Sequence, residues 1–147
     1  MEEEDITMLD VTPDCSIFGV FDGHGGFYLY CDKNIDLYNI GRGAALFCSK
    51  FFPEFFVKTK YFKEGDIEGA IRQTCSLMDH EMKDNAHDDF FTKNNVRIPR
   101  KVSSGCTANI IILYQNYIYC ANIGDSRSVL NHNGSAFALS NDHKPSN

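Results

Sequence analysis

From Ser16 to Phe21 the chain reads SIFGVF, an apolar, β-rich run stopped by the turn dipeptide Asp22-Gly23. The pattern predicts a buried strand feeding a glycine-rich loop, Gly23-His24-Gly25-Gly26. The acidic residues before it, 1–15, read as a frayed or partly strand-like lead-in. Phe27 to Gly41 (FYLYCDKNIDLYNIG) mixes aromatic and polar positions without a clean period and reads as an insertion or long loop. From Arg42 to Lys58, Ala44, Ala45, Phe47 and Cys48 can share one apolar side, which predicts a helix that Pro53 should kink or end. Asp66 suits an N-cap. After it, Ile67, Ala70, Ile71, Thr74, Met78 and Met82 follow helical spacing and predict a second helix to about Asn85. Residues 86–102 are polar and read as a loop.

The character then changes. CTANIIILY and YIYCANIG are β-branched and aromatic runs separated by Gln115-Asn116, a hairpin signal. SRSVLNHNGSAFALS repeats that form around Asn133-Gly134. A strand, two helices and then several antiparallel strands predict an α+β architecture, with helices packed on a mainly antiparallel sheet. A length of 147 residues fits one domain, 1–147, with a core of useful size.

Composition narrows the function classes. A formal charge of −6 with scattered basic residues argues against nucleic acid as a partner. The six cysteines form no C-x-x-C pair, so a zinc site is not expected. MEEEDITM is acidic where a secretory signal would be basic, and no run of about 18 apolar residues suggests a transmembrane helix. A cytoplasmic or nuclear setting with reduced cysteines is the expectation.

The candidate chemistry lies in FDGHGG. A strand end would project Asp22 from rigid structure, and Gly23 lets a backbone carbonyl approach an ion. Hard cations such as Mg²⁺ and Mn²⁺ favour carboxylate and carbonyl oxygens. Gly25 and Gly26 leave room beside His24, and an imidazole can deliver a proton at neutral pH. These are parts of a metal-assisted hydrolase. A plain glycine-rich turn with a surface histidine is the other reading. No G-K-[ST] follows, so the stretch is not a P-loop. Asp125, in NIGDSRSVL, is either a turn residue accepting backbone N–H groups or a metal-proximal carboxylate. SSGCTAN and LSNDHKP read as structural.

In order, FGVFDGHGG, GAALFCSK, SGCTAN, YCANIGDSRSVL and DHKP resemble the metal-dependent PPM/PP2C-type protein serine/threonine phosphatases, over Ile17 to Pro145. The resemblance implies a β-sandwich flanked by antiparallel helices, present here as an N-terminal portion. It implies two Mn²⁺ or Mg²⁺ ions and phosphoserine or phosphothreonine proteins as substrates. By resemblance Asp22 bridges both metals, Gly23 offers its carbonyl to one, and His24 is the acid that protonates the leaving oxygen. Asp125 resembles the aspartate of a third, weaker metal. Glu4-Asp5 resembles the family's Glu-Asp pair on the preceding strand; a solvated acidic segment is the alternative.

Three departures qualify the match. The family's later Asp-Gly and Asp-Asn motifs, with two further metal-binding aspartates, lie outside these 147 residues. So does its phosphate-binding arginine. FYLYCDKNIDLYNIGR, residues 27–42, intervenes between GHGG and GAALFCSK as an insertion. The expectation is a truncated domain that holds one metal loosely or none, and that needs a partner chain or a C-terminal half for solubility. A catalytically incompetent phosphatase-like binding module is the alternative function.

Overall fold

In the computed structural model, residues 2–25, 39–83 and 104–144 are described, with side chains at 11–25, 43–83 and 104–144. Residues 27–38 of the predicted insertion 27–42, and the predicted loop over 86–102, lie outside the described residues. Strand β1 (Glu2–Thr12) pairs antiparallel with β2 (Cys15–Gly25). Helices α1 (Asn39–Lys58), α2 (Lys60–Lys63) and α3 (Ile67–Lys83) follow. Strands β3 (Ser104–Cys106), β4 (Ala108–Tyr114) and β5 (Tyr117–Ile123) complete a five-stranded antiparallel sheet. Its path is β1-β2-β4-β5, with β3 also on β2. Strands β6 (Val129–His132) and β7 (Ser135–Ala138) form a separate two-stranded ribbon.

Alternation along β2 sorts the sheet into two faces. Cys15, Ile17 and Phe21 are buried, while Val20 and His24 are exposed. The buried face continues into Ile110 and Ile112 of β4, which pair with Gly19 and Ile17. Against it lie Ala45, Phe47, Cys48, Phe52 and Phe56 of α1 and Ile67, Ala70 and Met78 of α3. The α1 phenylalanines meet at i, i+4: Phe52 and Phe56 stack at 5.9 Å, and Phe52 reaches Phe21 of the sheet at 6.5 Å.

Four local expectations are corrected. The Asp22-Gly23 dipeptide does not end β2, because the strand runs to Gly25 with β3 alongside. Residues 39–42 of the predicted insertion belong to α1. Pro53 lies inside α1 and is buried, and does not end it; the helix continues to Lys58 although Pro53 has no N–H to give the carbonyl of Ser49. A short helix, α2, separates the two expected ones. Its N-cap Thr59 accepts from Phe62 N–H at 3.1 Å and donates to the Phe56 carbonyl at 2.8 Å. Elsewhere the pattern holds. Asp66 caps α3 through Gly69 N–H at 2.9 Å, and Asn133 and Gly134 turn the β6–β7 ribbon at φ 52° and 82°. Among the described residues, no helix is long and apolar enough to cross a membrane.

Candidate active site

The site lies where β2 leaves the sheet, on the face away from the helices. β3 and β4 keep one register against β2, with Cys106 opposite Gly23 and Asn109 opposite Val20. Thr107 falls between them, opposite Asp22. Its N–H donates to the Asp22 carbonyl at 2.8 Å. The return bond is altered: Asp22 N–H donates to Thr107 Oγ1 at 3.3 Å, a side-chain atom in place of the backbone. A regular antiparallel pair exchanges two backbone bonds. The substitution breaks the ladder at Asp22, the carboxylate of the glycine-rich segment.

Thr107 Oγ1 also shares a hydrogen bond with Ser126 Oγ at 2.9 Å, which ties Asp22 to the turn holding Asp125. That turn is clamped. Buried Asn109 donates to Asn122 Oδ1 at 2.7 Å and to the Ser126 carbonyl at 3.2 Å, and accepts from Ser128 Oγ. Asn122 donates onward to the Gly124 carbonyl at 3.1 Å and the Asn141 carbonyl at 2.8 Å. Gly124 adopts φ +109°, and a Cβ there would meet Thr107 Cγ2 at 2.6 Å, so the turn needs glycine. Beyond it Arg127 holds Asp142 bidentately, at 2.5 and 2.7 Å. The guanidinium keeps the Asp142 carboxyl at about 2, below its usual range.

Asp22 is half-buried, and its Oδ1 is buried without a hydrogen-bond partner among the described residues. A buried, unpartnered carboxylate oxygen is costly and calls for an explanation. His24 stands exposed beside it, with Nδ1 3.4 Å from the Asp22 carbonyl and Nε2 over Gly105. Gly23 is buried. Asp125 is exposed on its turn, joined to Asp22 through Ser126 and Thr107. On β1, Glu3 pairs with Asp22, Glu4 with Phe21 and Asp5 with Val20. Pleat alternation therefore puts positions 3 and 5, and not 4, on the face of Asp22. Among the described residues, no three His, Cys, Asp or Glu side chains gather as a metal-holding group.

Sequence reasoning read SGCTAN and DHKP as structural. It did not single out Thr107, Asn109, Asn122 or Ser126, small polar residues whose role appears only once register brings them together.

The chain's sequence matches the family described as Protein phosphatase 2C over residues 4–147. It is 37% identical over 147 residues to Probable protein phosphatase 2C 2 of Paramecium tetraurelia, covering 100% of this chain and 44% of that protein. It is 37% identical over 130 residues to Protein phosphatase 2C homolog 3 of Schizosaccharomyces pombe, covering 88% of this chain and 25% of that protein. In fold it is similar to the crystal structure of serine-threonine phosphatase 2C from Toxoplasma gondii, with a TM-score of 0.51 at 20% identity, over 98% of this chain and 46% of that one. The chain thus spans less than half the length of these relatives.

Proposed function

The chain belongs to the protein phosphatase 2C family, and from that premise we propose that it carries the Asp22–His24 part of a metal-dependent protein serine/threonine phosphatase site. One observation carries the reading: the orphaned, buried Oδ1 of Asp22. A cation would match a carboxylate oxygen withdrawn from water with no donor among the described residues, and hard divalent ions take oxygen ligands. Asp22 and the Gly23 carbonyl would hold it, with Asp5 and Asp125 as further candidates; Glu4, in register with Phe21 on the other face of the sheet, is set aside. When bound, paired Mg²⁺ or Mn²⁺ ions supply charge neutralisation at the phosphate and a water acidic enough to attack near neutral pH.

The remaining work falls to the chain. Thr107 and Ser126 fix the Asp22 backbone and hold the Asp125 turn against it. The His24 imidazole lies over Gly105, in register with it on β3, and is open to solvent. From there it can hand a proton to a leaving seryl or threonyl oxygen. The substrates of this reading are phosphoserine and phosphothreonine proteins.

A second reading is a phosphatase-like binding module without turnover. It is favoured by the lack of a three-ligand group among the described residues. Hydrolysis of a phosphothreonine peptide separates the two. Turnover that requires Mn²⁺ and is lost in Asp22→Ala supports the phosphatase. Turnover indifferent to Mn²⁺ or to that substitution contradicts it, and Mn²⁺-independent peptide binding without turnover supports the module.

A further inference from the structure

Behind the Asp22 face, on the helix side of the same strands, two thiols meet. Cys106 ends β3 opposite Gly23, and its Sγ–H donates to Cys48 Sγ of α1 at 3.3 Å. Both are free, Cys48 buried and Cys106 half-buried. They are 58 positions apart in sequence and come from different elements. A disulfide bond is about 2.05 Å long, so the sulfurs need to close by only about 1.3 Å. Cys75 of α3 also lies close enough to act electrostatically on Cys48.

We propose that Cys48 and Cys106 form an oxidation site, which a hydroperoxide converts reversibly into a disulfide joining α1 to the strand that backs the Asp22–His24 segment. Cys106, the more accessible, reacts first. Its sulfur attacks a peroxide oxygen, the O–O bond breaks, and the thiol proton leaves with the departing oxygen; with hydrogen peroxide that product is water. The sulfenic acid left on Cys106 is then attacked by Cys48 Sγ. The S–S bond forms, the S–O bond breaks, and the hydroxyl takes the Cys48 proton as a second water. The two thiols lose two electrons in all, and one peroxide is reduced. A thiol such as glutathione reverses the change. The bond pins β3 to α1 directly behind Gly23, the residue between the two groups assigned chemistry. It does not depend on the phosphatase reading, since it needs only the thiol pair and a peroxide.

The test treats the chain with hydrogen peroxide, blocks the remaining thiols with iodoacetamide, and maps peptides by mass. The expected result is one cross-linked peptide pair, Cys48–Cys106, lighter by two hydrogens and undone by dithiothreitol. It should persist in Cys75→Ser and be absent in Cys106→Ala. A cross-link dominated by Cys75 overturns the proposal. So does full alkylation of Cys48 and Cys106 after peroxide, or oxidation of Cys106 to sulfinic acid with Cys48 still alkylated. Because wild-type protein alone gives these readings, a variant that folds poorly does not blunt the test.

Discussion

Asp22 holds a buried carboxylate oxygen with no donor among the described residues, so removing it should relieve the metal-free fold of a penalty of about 1–3 kcal/mol. Asp22→Ala should therefore melt at or above the wild-type temperature without metal, checked by differential scanning calorimetry. A clear drop would show that the side chain has a structural partner. Gly124→Ala should do the opposite. Its φ of +109° and the 2.6 Å approach to Thr107 Cγ2 predict a loss of about 1–3 kcal/mol, read from the urea midpoint. Asp142 contributes to acid sensitivity. Its folded pKa is depressed to about 2 from 3.8 by Arg127, so its contribution is complete above pH 3.8 and is lost as pH falls through about 2. Asp142→Asn should flatten the stability change across that window, followed by circular dichroism. Asp22 and His24 were legible in the sequence because glycines isolate them. Thr107 and Ser126 were not, because a threonine on a strand and a serine in a turn carry no signal until register pairs them.

At the scale of elements, α1 is the main support of the sheet that bears the site. Phe56 is fully buried, stacked on Phe52 and 5.0 Å from Phe62. Phe56→Ala should cost about 3–5 kcal/mol, measured by urea denaturation, and a loss below 1 kcal/mol would mean the helix collapses into the gap. Helical periodicity revealed both long helices, and Asn133-Gly134 revealed the ribbon, because side-chain spacing and positive φ are local properties. Two local signals were overridden by distant partners. Asp22-Gly23 stays in the strand because β3 supplies its ladder, and Pro53 stays in the helix because its ring is buried. The strand β1 was only partly legible, since its acidic sequence lacks the alternation that its pairing with β2 imposes.

Over the whole molecule, helices cover one face of the five-stranded sheet. On the other, Val20 is 37% exposed, Leu113 38% and Ile118 51%, joined by the partly buried Phe18 and Ile111. Contiguous apolar surface of this kind favours association. Replacing Val20 with Thr and both Leu113 and Ile118 with Lys should raise the monomer fraction in size-exclusion chromatography; an unchanged profile would show that this face does not drive association. The sheet-and-helix order was readable from pattern alone, whereas the bareness of this face depends on which strands pair. The central claim, that the end of β2 is a divalent-metal site, is tested most directly by Mn²⁺ titration followed by electron paramagnetic resonance. The account predicts that wild-type protein binds Mn²⁺ and that Asp22→Ala weakens binding by about tenfold or more, roughly 1.4 kcal/mol. Equal binding by the two proteins, or none by either, would contradict it.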